Sequence, residues 1–217
     1  MNHAQLTKKH EGGVAMLVVL VFTLALTGIA IVSARLALLG ESVARNQLDL
    51  QVARQAAEAA LRDAEKDLMI ANGSITFPGA ACSRGIMERP VMAQTVQFTK
   101  DCARGQCIFD QSQRAQVDFT KASDSKQDFA EAWWPVDKGG RWGNAGKDSS
   151  GCDFAGGVPL GTFTGASPIQ GAVFQPEYLI EAILRGEQTY FRITARGFGY
   201  RKATEVVLQS YFQVPQI

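Results

Sequence analysis

The chain has 217 residues, and its 22 Lys and Arg residues against 21 Asp and Glu residues give a formal net charge of +1 at pH 7. With 46% hydrophobic and 20% charged residues, this composition suits one membrane-tethered globular domain and excludes a strongly basic nucleic-acid binder. No basic or acidic run points to a polyanionic or polycationic partner.

The first predicted element is an apolar segment, residues 14–34, which carries no charged residue and ends at Arg35. About 20 consecutive apolar residues are enough for a helix to span a bilayer. The preceding leader carries Lys8 and Lys9, and flanking Lys residues favour the cytoplasmic side. We therefore expect a cytoplasmic N-terminus and an external C-terminal bulk, although Arg35 on the far flank acts against this orientation.

Three interpretations of the apolar segment differ in what they require. A cleavable secretory signal needs an apolar core of 7–15 residues followed by a small-x-small site, and this segment is longer. A plain signal anchor needs only the segment itself. The third interpretation starts from Gly12 and Gly13, which directly precede the segment on its predicted cytoplasmic side. A basic leader that ends in Gly before a hydrophobic segment resembles the class III signal of type IV prepilins.

That resemblance implies processing by a membrane-embedded prepilin peptidase, which cuts after the Gly and methylates the new N-terminus. The cut falls between Gly13 and Val14.

The next segment, residues 41–73, contains no Pro and is dense in strong helix formers, so one helix is predicted from Val14 to about Asn72. Such a helix is roughly 90 Å long, with Gly28 and Gly40 as weak points. Its second half is amphipathic, with polar pairs such as Glu58 and Arg62 one turn apart. Apolar residues recur there at spacings of three and four, namely Leu50, Ala53, Ala57, Leu61, Ala64 and Leu68. This stripe fits a solvent-side coiled coil or, given its small side chains, packing against a sheet.

The stretches "GGVAMLVVLVFTLALTGIA", "ARNQLDLQVARQAAEAALRDAE" and "YFRITARGFGYRKATEVVLQSYF" together resemble the PilX family of minor pilins. The resemblance covers the first third and the last fifth of the chain, and the middle matches no pattern. It implies an α+β type IV pilin fold, in which a long N-terminal helix with a membrane-spanning first half packs on a C-terminal antiparallel sheet.

One residue departs from the usual pilin pattern. Most pilins carry Glu at the fifth mature position, where the carboxylate is thought to neutralise the N-terminal ammonium of a neighbouring subunit, and this chain has Val18 there. PilX-like proteins and the K-type pseudopilins of type II secretion share this lack and are assigned to tip or priming complexes. Val18 therefore argues against the major, many-copy pilin.

The head is predicted to begin with a loop-rich stretch and to end in an antiparallel meander. Segments with β-strand character run from Tyr178 to Leu184, Tyr190 to Ala195 and Glu205 to Val214, with turns at Gly186 and at residues 197–199. Their apolar face is expected to pack on the helix stripe. The predicted division is a leader (1–13), a transmembrane and polymerisation helix (14–39), an amphipathic helix (40–73), a loop-rich variable region (74–171) and a β-meander (172–217).

Four cysteines lie in the loop-rich stretch, on the predicted outer side of the membrane. An even number in an oxidising compartment suggests two disulfides, with three connectivities. Cys102 and Cys107 are close enough for a small loop, which leaves Cys82 with Cys152 as the preferred pairing. A zinc site is disfavoured, since no Cys-x-x-Cys and no nearby His occur.

Catalytic motifs are absent from the sequence, and we expect neither an enzyme nor a cofactor. His3 and His10, the only histidines, lie in the leader that cleavage would remove. Residues 143–147 resemble a phosphate loop but lack its first Gly and its Ser or Thr, so a surface turn is expected. Asp148 and Asp153 fit no EF-hand spacing.

By resemblance, the expected role is a minor pilin that primes assembly of the type IV pilus and lies at or near the fibre tip. The implied partners are other minor pilins, the major pilin, the prepilin peptidase, the inner-membrane assembly platform and a tip adhesin. The expected location is the inner membrane, with a periplasmic head, and then the extracellular fibre. The alternatives are a type II secretion pseudopilin and a signal-anchored periplasmic binding protein or enzyme.

Overall fold

The computed structural model describes residues 12–71, 78–85, 98–108, 131–145, 151–185 and 188–214. A single α-helix, α1, spans Gly12–Ala71. The strands are β1 (Gln106–Ile108), β2 (Val158–Pro159), β3 (Glu177–Arg185), β4 (Gln188–Phe198) and β5 (Glu205–Phe212), and a 3₁₀ turn covers Val136–Lys138.

The long helix confirms the prediction from Val14 to about Asn72 to within two residues. It is helical through Gly28 and Gly40 without interruption. The chain forms two compact units, residues 1–47 and 48–217. Within the first unit, the large apolar side chains of α1 are exposed, and α1 is long and apolar enough to cross a membrane.

The head contains one sheet with the strand order β1-β3-β4-β5, and β2 pairs with part of β3. Strands β3, β4 and β5 form the predicted antiparallel meander, with Ile180 opposite Ile193 and Ala195 opposite Leu208. Strand β1 pairs with β3 in parallel, so the sheet is mixed rather than wholly antiparallel. Of the predicted turns, Gly186 lies outside the described residues.

The main core lies between one face of the sheet and the small side chains of α1. On the helix, Ala57, Ala64 and Leu68 are fully buried, and Ala64 and Leu68 share a cluster with Ile180 and Ile193 of the sheet. This layer confirms the choice of sheet packing over a solvent-side coiled coil for the stripe. The stripe begins one turn later than predicted, however, because Leu50 is 53% exposed.

The small helix residues let the sheet approach the helix backbone closely. A Cβ atom on Gly197 would overlap the backbone of Ala53, Ala56 and Ala57. Gly197 was predicted to lie in a turn, and this was wrong: strand β4 continues to Phe198. The absence of a side chain at this position serves helix–strand packing instead.

The opposite face of the sheet is covered by loops from the stretch that was predicted to be loop-rich. A second apolar cluster forms there around Leu179 of β3, with Ala132, Trp142 and the Cys102–Cys107 pair buried against it. The sheet therefore has two covered faces, which place different sets of polar side chains in the interior.

Candidate functional site

The predicted processing residues lie at the start of α1. Gly13 and Val14 are both helical, and Val14 and Val18 are exposed along with the apolar side chains that follow. Residues 1–11, which include His3 and His10, lie outside the described residues. The geometry is that of an accessible apolar helix with no carboxylate at position 18.

This helical surface is far larger than a water-soluble protein normally exposes. Phe22, Leu26, Ile29 and Val32 are each more than half exposed. Apolar surface in water costs roughly 25 cal/mol per Å², so a surface of this size needs lipid or other helices as its cover. In lipid, the free energy gained when helices associate comes from side-chain packing rather than from removing apolar surface from water. The same surface can therefore serve as a membrane anchor and as an assembly interface.

The head is fixed to α1 by three buried aspartates that the sequence analysis did not single out. The innermost is Asp67, which accepts hydrogen bonds from Arg84 Nε at 2.8 Å and Nη2 at 2.7 Å. Tyr178 Oη on β3 donates to the same carboxylate at 2.8 Å. Burial raises the pKa of the Tyr178 hydroxyl, and the Asp67 charge raises this pKa further, so Tyr178 remains a donor. The Arg84 guanidinium also stacks on the Phe163 ring, 3.9 Å from its centroid.

Asp63 lies one turn before Asp67 and binds a different loop. Its carboxylate accepts hydrogen bonds from the Gly161 amide at 2.8 Å and from the Thr164 hydroxyl. Burial raises the pKa of Asp63, and these two hydrogen bonds only partly oppose the shift. The charge of Asp67 also raises this pKa and the charge of Lys66 lowers it, both by less than the hydrogen bonds do.

Asp49 holds the turn between β4 and β5 against the first helical turn of the head. It accepts from the Thr204 hydroxyl at 2.5 Å, the Tyr200 amide at 2.6 Å and Arg201 Nε at 2.8 Å. The Thr204 hydrogen bond, followed by those from Arg201 and Tyr200, outweighs desolvation and lowers the pKa of Asp49 to about 2. Gly199 is required beside it, because a Cβ there would overlap the Asp49 carboxylate.

Two ion pairs lie on the face of the sheet away from α1. Arg192 on β4 binds Glu181 on β3 through two hydrogen bonds of 2.7 Å each. Arg196 also donates two hydrogen bonds to Glu177, both to Oε1, at 3.1 and 2.5 Å. Each pair joins residues that face each other directly in the β3–β4 register. The Glu177 pair also holds a covering loop, since the backbone N–H of Asn144 donates to Glu177 at 3.0 Å.

The structure pairs Cys82 with Cys152 and Cys102 with Cys107, the pairing preferred from the sequence. The first disulfide joins chain segments 70 residues apart, and the second closes a loop of five. Cys82 is two residues from Arg84, so the long-range disulfide holds the loop that supplies the partner of Asp67.

In the part of the chain that the structure describes, no three His, Cys, Asp or Glu side chains converge as a metal site would require. Of residues 143–147, whose sequence resembles a phosphate loop, the structure describes 143–145, and Asn144 among them holds neighbouring backbone. Its side-chain amide donates to the carbonyls of Ala155 and Gly157, both at 2.8 Å. Asp148 lies outside the described residues, and Asp153 is exposed.

Residues 110–214 match the family model described as the C-terminal part of the type IV pilus assembly protein PilX. This match makes the C-terminal part of the chain similar to PilX. The match includes β2 to β5 and also part of the middle region, where the sequence alone showed no recognisable pattern. Neither the curated proteins nor the solved structures contain a match to this chain.

The PilX match supports a role in type IV pilus assembly, and such a role implies contact with other pilus components. PilX proteins are structural pilins rather than an enzyme family. The exposed apolar α1 fits a single-pass inner-membrane anchor in such a protein.

Proposed function

We propose that this chain is a minor pilin that primes assembly of the type IV pilus and stays at or near the fibre tip. It is cut by prepilin peptidase between Gly13 and Val14 and is methylated at Val14. It is held in the inner membrane with its N-terminus in the cytoplasm and its disulfide-bonded head in the periplasm. It then enters the fibre through the same apolar helix.

The observation that carries the tip position is Val18 on an exposed apolar helix. In a fibre with a dry helical core, each N-terminal ammonium needs a carboxylate from its neighbour, because an unpaired buried charge costs several kcal/mol. A subunit without that carboxylate leaves the N-terminal ammonium of one neighbour unpaired wherever it lies inside the fibre. It fits at the fibre end, where no neighbouring ammonium needs its carboxylate.

The head supports a structural rather than a catalytic role. Its ionisable side chains are used to join α1, the sheet and the loops, as Asp67 with Arg84 and Glu181 with Arg192 show. Its partners in assembly are then other minor pilins, the major pilin and the assembly platform, and the head carries a tip adhesin.

Deletion of the chain tests the proposal, with complementation by the original sequence and by Val18→Glu. We expect deletion to abolish surface pili, twitching motility and pilus-dependent adhesion, and immunogold labelling of complemented cells to mark fibre ends. Labelling evenly along the fibre, or normal pilus numbers in the deletion, would contradict a priming subunit at the tip.

A type II secretion pseudopilin is the second candidate, because K-type pseudopilins share the uncharged residue at the Val18 position. The same deletion separates the two: loss of protein secretion with normal pili would assign the chain to secretion. A signal-anchored periplasmic binding protein would instead retain its uncleaved N-terminus.

A further inference from the structure

Two loops of the head meet beside the helical turn that contains Asp49, and together they form an exposed surface. One is the turn between β4 and β5, and the other is the chain that leads into β3. The Val173 amide donates to the carbonyl of Gly199 at 2.8 Å, which joins the two loops. The residues of this surface, named here the turn patch, are Val173, Phe174, Tyr200, Arg201 and Lys202.

The turn patch exposes apolar and aromatic side chains. Tyr200 is 59% exposed and Val173 is 42% exposed. The Tyr200 ring lies against Gly171, where a Cβ atom would come within 3.0 Å of it. Phe174 is partly buried, and the Lys202 ammonium lies 5.7 Å from the centroid of its ring. Packing between the two loops therefore keeps the Tyr200 ring at the surface, next to a cation.

The turn patch is also positively charged towards solvent. Lys202 is exposed. Arg201 donates to Asp49 through Nε, but the Arg201 side chain is 64% exposed whereas Asp49 is buried. The acidic side chain that follows the turn, Glu205, is paired with Arg196 at 3.6 Å. The carboxylate that binds the turn thus faces inward, while both cations of the turn face outward.

An exposed Tyr ring, apolar side chains and cations on one surface are the combination that suits the headgroup layer of a membrane. Tyr is enriched at membrane–water interfaces, and each Lys or Arg near an anionic lipid surface strengthens the attachment. Residues 35–49 connect the apolar segment to the held turn, and 15 residues of helix rise about 22 Å. The anchor therefore keeps the turn patch near lipid, so a contact that is weak between separate molecules gains from a high effective concentration.

We infer that the turn patch binds anionic phospholipid headgroups of the membrane that α1 crosses. Arg201 and Lys202 pair with the headgroup phosphates, and Tyr200 and Val173 lie against the boundary of the acyl chains. The inference rests on the membrane anchoring in the proposed function. An acidic protein surface would also suit the two cations, but the anchor favours lipid, because lipid is always within reach. The head thereby gains a second, reversible attachment that salt weakens.

Fluorescence quenching in nanodiscs tests the inference with the full chain. An environment-sensitive fluorophore is attached in Ala203→Cys, directly after the turn patch, and the quencher is a lipid that carries a spin label on its headgroup. The matched control is Val136→Cys, an exposed position on another loop of the head. We expect the ratio of quenched to unquenched label at position 203 to rise several-fold when phosphatidylglycerol is added to phosphatidylcholine. Position 136 should show no such rise.

The charge is tested in the same nanodiscs. Lys202→Gln should lower the quenched ratio at position 203 about fivefold, which is the contribution of one cation near an anionic surface. Lys202→Arg should preserve the ratio, and Lys138→Gln, which removes another exposed lysine of the head, should leave it unchanged.

The inference is overturned by equal quenching in the two lipid compositions, by equal quenching at positions 203 and 136, or by no loss in Lys202→Gln. A signal that appears only when other membrane proteins are added would assign the turn patch to a protein partner and overturn the inference as well. Insertion of the chain keeps the two proposals apart. A chain that inserts into the nanodiscs without the phosphatidylglycerol response refutes the lipid contact alone, whereas a chain that does not insert refutes the anchoring in the proposed function.

Discussion

Loss of the Asp67 carboxylate should destabilise the head more than removal of any exposed charge. Asp67 accepts three hydrogen bonds, two from Arg84 and one from Tyr178, and both ion-pair side chains are nearly inaccessible to solvent. In Asp67→Ala, the Arg84 guanidinium would stay buried without its counter-charge. Removing one partner of a buried ion pair costs about 3–5 kcal/mol. For a domain of this size, the cost corresponds to a fall in Tm of about 10 °C.

The measurement is thermal unfolding of the full chain in detergent, followed by near-ultraviolet circular dichroism. Glu41→Ala is the control, because it removes an exposed ion pair that contributes less than about 1 kcal/mol. The double variant Asp67→Ala with Arg84→Met should be more stable than Asp67→Ala alone, since no buried charge is then left unpaired. The reasoning is refuted if Asp67→Ala lowers Tm no more than Glu41→Ala does.

Four further perturbations test other parts of the head. Asp49, with a folded-state pKa of about 2 against an ordinary 3.8, contributes stability that is present above pH 3.8 and is lost as pH falls through about 2. Asp49→Asn should therefore destabilise at pH 7, and this difference should shrink in acid unfolding below pH 3.8. Asp63 has a raised pKa, so its charge opposes folding at pH 7; Asp63→Asn should be neutral or stabilising there, and a large loss of Tm would contradict this assignment. Gly197→Ala should cost about 1–3 kcal/mol in denaturant unfolding, because the added methyl group meets helix backbone; an unchanged midpoint would show that the helix yields. Replacing Cys82 and Cys152 by Ser should cost about 4 kcal/mol by chain entropy, against about 2 kcal/mol for the disulfide that closes the short loop; equal losses in matched unfolding curves would contradict that order.

The helix and the meander could be predicted because their signals are local. An uninterrupted run without Pro gave the helix to within two residues at each end. Alternating Phe191, Ile193 and Ala195 indicated one buried face of β4, and all three are buried. These patterns need no knowledge of distant residues, since the period of the side chains alone identifies the element.

The parts that failed depend on tertiary contacts. A glycine at position 197 is consistent with a turn and equally with a strand that lies close to a helix. Only the three-dimensional position of Ala53 distinguishes the two. Leu50 continues the spacing of the buried stripe, but the sheet does not reach it.

The buried aspartates were missed because acidic residues on a helix are ordinarily solvated. The partners of Asp67 lie 17 and 111 residues away in sequence, so no short motif shows the network. One signal was available, since Asp63 and Asp67 fall on the same face as the buried Ala64. On the sheet, Glu177 with Glu181 and Arg192 with Arg196 share one spacing of four and one strand face, a pattern typical of paired charges across two strands.

We propose that the apolar helix becomes an assembly interface only after prepilin processing. Mass spectrometry of the N-terminal peptide from membranes, with and without active prepilin peptidase, tests this proposal. We expect a peptide that begins at methylated Val14 when the peptidase is active, and the uncut leader when it is not. A peptide that retains Gly12 and Gly13 in cells with active peptidase would refute the proposed processing and leave a plain membrane anchor.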